Sequence, residues 1–384
     1  MKKLITTYLT VLIILLFLNE AYSIPAFARK YNMSCNVCHY APPKLRPFGE
    51  EFAGNGFQIP DNEPRRAYGE TGDDELLLMK EFPLALRMEL FGQYQNGIKT
   101  NADLRSPYIV KIMSGGNIYK NISYYIYYFL SERGEMAGIE DAFISFNDLA
   151  GSELDLTIGQ FQVSDPLFKR ELRLEQEDYK IYATSIGKSK ATLKYDRGIV
   201  LNYGLITNTD LALQIINGNG IGTIKTFDED NYKNLMFRVS QEVMENFRLG
   251  AFGYYGKEKP NNIKNELWMT GADLTIAYKN IELNAQYVFR SDENPNFDVL
   301  TPSEHIKTHG GFAELIFSPD FEKSKWFGYF LYNKVDSQFD EIDYDSYTGG
   351  ISYSLKTNIR IIGEYSYIKQ SKISRFTVGI VTAF

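Results

Sequence analysis

The chain has 384 residues, of which 44% are hydrophobic and 15% aromatic, and it carries a formal net charge of −7. A mean hydropathy of −0.28 excludes a bundle of transmembrane helices, each of which needs about 20 consecutive apolar residues. The acidic balance speaks against nucleic-acid binding, which wants a basic face, while 28 Tyr and 26 Phe are many for a soluble domain.

In chain order, the first element is a targeting segment. Lys2 and Lys3 precede an apolar run from Leu9 to Leu18 that is too short to span a bilayer, and Ala21-Tyr22-Ser23 offers small residues to a signal peptidase. Residues 1–23 read as a signal peptide cleaved near Ser23/Ile24, so the mature chain is exported.

Next comes Cys35-Asn36-Val37-Cys38-His39, a C-x-x-C-H run with the spacing for covalent attachment of a c-type haem. Two thiols separated by two residues can each add to one porphyrin vinyl group. The histidine that follows then reaches the iron from the proximal side. The motif takes both cysteines of the chain and one of its 3 His. A redox dithiol would call for a thioredoxin-like βαβ pattern, and a zinc site for further ligands nearby; the sequence has neither around Cys35. The expectation is one covalent haem c held by Cys35, Cys38 and His39. The distal ligand stays open: Met33, Met79, His305 and His309 are the leading candidates, and Met113 is one of several others.

Residues 24–80 form a short cytochrome segment and linker. Pro42, Pro43 and Pro47 preclude a long helix after the motif. Phe48 to Phe57 suits one or two helical turns ending at Gly54 or Gly56. Phe48, Phe52 and Phe57 would either lie against one side of a porphyrin or form a three-aromatic core. So small a segment leaves haem to supply much of its interior.

From residue 81 to 384 the hydrophobic period changes to two. Leu84, Leu86, Met88 and Leu90 alternate with Ala85, Arg87, Glu89 and Phe91, and similar runs recur to the end of the chain, as expected for many antiparallel strands. Tight turns fall at Lys120-Asn121, Glu245-Asn246, Lys279-Asn280 and Thr357-Asn358, and longer polar connections lie between them. Short turns on one side and long loops on the other predict an all-β, outer-membrane antiparallel β-barrel of about 16 strands, or 18 if Asp196-Arg197-Gly198 is a separate hairpin. In the last strand Phe376, Val378, Ile380 and Phe384 face one way and Thr377, Gly379, Val381 and Ala383 the other; a terminal Phe resembles the assembly signal of bacterial outer-membrane barrels. Tyr124, Tyr125, Tyr127, Tyr254, Tyr255, Tyr365 and Tyr367 suit aromatic girdles at the lipid interfaces.

The haem motif, Pro43, Leu45, Phe48-Gly49, Phe52 and Gly56-Phe57, together with Pro25-Ala26-Phe27-Ala28-Arg29, resemble the fused outer-membrane monohaem cytochrome–porins, as found in iron-oxidising bacteria. Over the barrel the likeness is architectural only. The chain departs from that family at Arg46, where Asn is expected, and at Ala53, where Lys is expected. The resemblance implies a haem segment plugging the lumen. It also implies transfer of electrons between an extracellular donor, such as ferrous iron, and a periplasmic cytochrome: an Fe(II):cytochrome c oxidoreductase in effect. The alternative is a diffusion porin whose haem segment acts as plug, gate or sensor.

Two charged stretches complete the reading. Residues 165–173 would be a loop folded into the lumen, with Lys169, Arg170 and Arg173 at a constriction, or a solvated ladder on the wall. Asp336, Asp340, Glu341, Asp343 and Asp345 form an acidic outer loop able to gather cations. No Ser/His/Asp triad or phosphate loop points to a hydrolase or transferase.

Overall fold

The computed structural model describes residues 26–33, 35–39, 45–59, 68–69, 71–73, 75–80, 82–97, 101–167, 171–221, 228, 230–298, 305–320 and 324–384. The signal-peptide reading therefore lies outside the described residues, as do Lys169 and Arg170.

Period-two alternation becomes strands wherever lipid on one side and protein on the other reward it. Sixteen do so: β1 (Leu84–Gln95), β2 (Ala102–Tyr119), β3 (Ile122–Glu132), β4 (Ile139–Phe146), β5 (Leu154–Gln162), β6 (Tyr195–Leu205), β7 (Thr209–Ile216) and β8 (Asn234–Met244). They continue with β9 (Phe247–Glu258), β10 (Asn265–Tyr278), β11 (Ile281–Asp292), β12 (Ile306–Phe317), β13 (Trp326–Ser337), β14 (Tyr344–Lys356), β15 (Ile359–Ile368) and β16 (Ile373–Ala383). Every strand pairs antiparallel with its sequence neighbours, and β16 pairs with β1, so the sheet closes. The Phe384 amide donates to the Leu86 carbonyl at 2.8 Å and the Leu86 amide to the Phe384 carbonyl at 2.7 Å, extending the seam. Asp196, Arg197 and Gly198 lie inside β6 and form no hairpin, which leaves 16 strands rather than 18.

All four tight turns fall between strands at one end of the barrel, with Lys120, Asn246 and Lys279 in the left-handed conformation. The long connections fall at the other end. In the last strand Phe376, Val378 and Ile380 are exposed, whereas Thr377 and Val381 are buried, as the alternation requires. The tyrosines divide differently from the expectation. Tyr255 and Tyr365 face outward and are exposed. Tyr125, Tyr127 and Tyr254 face inward, where Tyr254 hydrogen-bonds the Asn234 side chain at 2.8 Å. A period of two separates two faces, but it does not say which is the lumen when both carry aromatics.

A long loop enters the lumen. Residues 163–167 and 171–194, between β5 and β6 at the long-loop end, fold back inside, with a 3₁₀ turn at Lys180–Ala183. Val163, Leu167, Leu174, Tyr179, Tyr182 and Leu193 are buried against the inner faces of β6 to β13. Polar groups fix the same segment. Tyr179 donates to Glu314, Tyr182 to Gln286, and Ser189 to Glu258 at 2.6 Å, while Arg290 donates to the Ala191 carbonyl at 2.6 Å. Burying a polar group costs free energy unless a partner replaces water, and here wall and plug supply partners to each other.

Among the described residues, three short helices precede the barrel: α1 (Ala26–Tyr31), α2 (Cys35–Cys38) and α3 (Pro47–Gly54). Pro47 occupies the first turn of α3, where its missing N–H costs nothing. The helix ends at Gly54, and Phe57 N–H returns to the Phe52 carbonyl at 2.9 Å with Gly56 and Phe57 both left-handed. A two-residue ladder, Tyr68–Gly69 with Leu78–Met79, follows before β1.

Candidate functional site

The cysteines of the motif open and close α2, so their backbone positions are i and i+3, on one face of a single turn. His39 follows directly and bridges to Leu45. Arg46 holds this end: its backbone amide donates to the Cys38 carbonyl at 2.8 Å and its Nε to the His39 carbonyl at 3.0 Å. Arg46 is one of the positions where the chain departs from the cytochrome–porin pattern, and its bond gives the departure a local role. Helix α3 crosses α2 so closely that a Cβ on Gly49 would lie 2.2 Å from the Cys38 carbonyl oxygen. These residues fit thioether attachment of a haem: two cysteine positions one turn apart, a histidine next, and a glycine that lets the second helix close over the first.

Phe52 is buried at the centre of Phe27, Tyr31, Phe48 and Phe57, with ring centroids 5.2, 5.5, 6.3 and 6.0 Å away. Of the two readings for Phe48, Phe52 and Phe57, the aromatic core is the one described. This core sits against the inner wall at the short-turn end. Gly115 of β2 leaves room for Phe27, whose Cζ lies 3.3 Å from where a Cβ would be. Gln58 accepts from Asn117 at 2.6 Å, and Phe57 stacks on Tyr125 at 4.7 Å.

The candidates for a distal ligand are scattered. Met33 lies between α1 and α2, its N–H on the Ala28 carbonyl at 3.1 Å, while Met79 pairs with Tyr68 ahead of the barrel. His305 is exposed just before β12. His309 stands near the long-loop end; its strand buries Thr308, Gly310, Phe312 and Glu314 inside, so His309 faces outward, beside Tyr287 and 4.0 Å from Asp336. Met113 faces inward beside the Tyr127 and Phe129 cluster.

Above Tyr125 the lumen holds buried charges that sequence reasoning did not assemble. Lys111 lies 3.3 Å from Glu171 of the plug, and Arg87 lies 2.7 Å from Glu89 and 3.7 Å from Glu171. Arg173 lies 3.7 Å from Glu89. Further along the plug, Arg360 pairs with Glu175 and Arg375 with Glu177. Residues 165–173 thus enter the lumen as far as they are described, with Arg173 buried. Inward alternation marked Arg87 and Glu89 as lumen residues; nothing local marked their partners on residues 171–177. At the outer loop, Asp345 is buried beside Lys369, and Asp343 accepts from the Ser337 amide at 2.9 Å. Asp336 lies 3.5 Å from Lys334, so three of the five acids are engaged in this region, and the side chain of Asp340 lies outside the described residues.

No family model and no curated protein sequence matches this chain. Solved structures do. An anion-selective porin from Comamonas acidovorans superposes with a TM-score of 0.57 at 10% identity, over 79% of this chain and 99% of its own. Salmonella typhi OmpF, in complex with daunomycin, gives 0.55 at 13% identity, over 79% and 98%. Pseudomonas putida OprB gives 0.53 at 10%, over 79% and 94%. The fold is a porin barrel. The porin barrel implies an outer-membrane location, lipid against its outward row and no nucleic-acid partner. At such identities the likeness carries the fold alone.

Proposed function

We propose that this chain is an outer-membrane electron conduit, passing electrons between an extracellular donor, with ferrous iron the leading candidate, and a periplasmic cytochrome through one haem c attached at Cys35 and Cys38 and ligated by His39. The observation that carries it is a C-x-x-C-H helix seated at the short-turn mouth of a porin barrel whose lumen is entered from the other end by residues 163–167 and 171–194. Val163, Leu167, Leu174, Tyr182 and Leu193 of that loop pack on the wall from β6 to β13 and take up part of the lumen that a solute would need. When bound, the haem supplies a one-electron carrier whose potential depends on its axial ligands and surroundings. The chain's own residues do the rest: α2 presents the attachment positions, Arg46 and Gly49 fix α2 against α3, and the Phe52 core anchors both to the wall. Short turns face the periplasm in barrels of this kind, so the motif is within reach of a soluble periplasmic partner.

The porin fold itself favours a second reading, a diffusion channel in which the N-terminal segment is a plug or gate. Denaturing electrophoresis with haem staining separates the two. The conduit requires one haem that survives denaturation and disappears in Cys35→Ser/Cys38→Ser. A chain carrying no covalent haem would favour the channel.

A further inference from the structure

The interior of an outer-membrane barrel is ordinarily polar. The inner row of β3 is not: above Ser123 it presents Tyr125, Tyr127 and Phe129 in succession. These rings continue the core of the N-terminal segment. Phe27 stacks on Phe57 at 5.0 Å, Phe57 on Tyr125 at 4.7 Å, Tyr125 meets Tyr127 at 6.1 Å, and Tyr127 meets Phe129 at 5.4 Å. Packing of the N-terminal segment accounts for Tyr125. It does not account for Tyr127 and Phe129, which continue toward the long-loop end under the Lys111 side chain.

We propose that Phe57, Tyr125, Tyr127 and Phe129 are the electron-transfer bridge between the outer half of the lumen and the haem segment, a proposal that rests on the conduit reading above. The step would be one electron, supplied by a one-electron donor at the outer mouth and accepted by the haem that Cys35, Cys38 and His39 would hold; no bond would form or break along the rings, and no proton would move. The rings act as coupling elements rather than as stations that are themselves oxidised. Lys111 Nζ lies over the faces of Tyr127 and Phe129, 4.4 and 4.9 Å from their centroids. A cation on the face of a ring opposes removal of an electron from it. The Tyr127 hydroxyl donates to Glu171 at 3.3 Å, and Glu171, engaged by Lys111 and Arg87, is a poor acceptor for the tyrosine proton that ring oxidation would release. The phenol is thereby kept from radical chemistry while its π system stays in line.

The test uses intact cells and a chelated ferrous donor too bulky to cross the membrane, with single-turnover reduction followed in the haem absorption bands. Tyr125→Leu/Tyr127→Leu should slow reduction by about tenfold, equivalent to about 1.4 kcal/mol of barrier, with haem content, absorption spectrum and midpoint potential unchanged. Tyr125→Phe/Tyr127→Phe, which returns the rings without hydroxyls, should restore most of the rate, and Tyr128→Leu on the outward row should leave it untouched. Normal haem with an unslowed leucine variant would overturn the bridge alone; absence of covalent haem from the unaltered chain would overturn bridge and conduit together. A haem-independent measurement covers a leucine variant that fails to assemble. In a Cys35→Ser/Cys38→Ser background, Phe57→Cys with Tyr125→Cys should be joined by a short bifunctional thiol-alkylating reagent in the membrane, and failure to join them would remove the first link of the path.

Discussion

At Gly49 the absence of a single methyl group decides whether two helices can meet. With a Cβ 2.2 Å from the Cys38 carbonyl oxygen, Gly49→Ala must push α3 off α2. Overpacking of this kind costs about 1–3 kcal/mol. The expected result is faster proteolysis of residues 24–80 in the folded barrel, whereas Gly54→Ala, which meets nothing within 4 Å, should behave as wild type. Glu171 makes a second residue-level case. Burial alone would push its carboxyl up, but Lys111, Arg87 and Arg173 outweigh burial and hold it at about 2, below the ordinary 4.5. A depressed folded value means that its contribution to stability is complete above about pH 4.5 and lost as pH falls through about 2. The melting midpoint of the barrel should therefore hold down to mildly acidic pH and drop only in that window. Glu171→Gln should lower the midpoint at neutral pH and remove its own share of the acid dependence. It leaves Lys111, 1% exposed, without its nearest hydrogen-bonded anion, and breaking a buried pair costs roughly 3–5 kcal/mol. The low end applies here, because Glu171 retains 30% exposure.

Among the elements, the strands were legible because lipid enforces alternation over long runs. The four tight turns were legible because polar pairs such as Lys279-Asn280 interrupt it. The plug was legible only as one of two readings. Its charged start, Asp165 to Arg173, looks the same in sequence whether it meets water or a wall, since Lys111, Arg87 and Glu89 are contributed by strands some 60 or more residues earlier. Its later part is apolar to match the inner rows of β6 to β13, which no local pattern announces. For the same reason Tyr125 and Tyr127 read as girdle residues until the barrel assigned them to the lumen. The motif at Cys35 needed no tertiary information, whereas a distal ligand comes from a contact between distant segments, so spacing could not select among Met33, Met79, His305 and His309. If residues 163–194 seal the lumen, replacing 171–193 by a short Gly/Ser linker should convert a nearly silent protein into one with large stepwise conductance in planar bilayers. Porin-like conductance from the unaltered chain would mean that the plug does not close the pore.

On the scale of the whole molecule, a 16-stranded porin barrel carries two segments against its inner wall: the short helices α1, α2 and α3 at the short-turn end, and residues 163–167 and 171–194 from the long-loop end. The first carries the C-x-x-C-H motif, and the second packs against the inner faces of β6 to β13. Transfer of an electron needs neither water nor an open channel, so a barrel whose lumen is narrowed by a loop remains suited to it. The most direct test of this account is the reduction of haem in intact cells by a ferrous chelate that cannot cross the outer membrane. The account predicts prompt reduction in intact cells, at the rate seen with broken cells, and none in Cys35→Ser/Cys38→Ser. Reduction only after the cells are broken would place the haem out of reach of the outside and contradict the conduit.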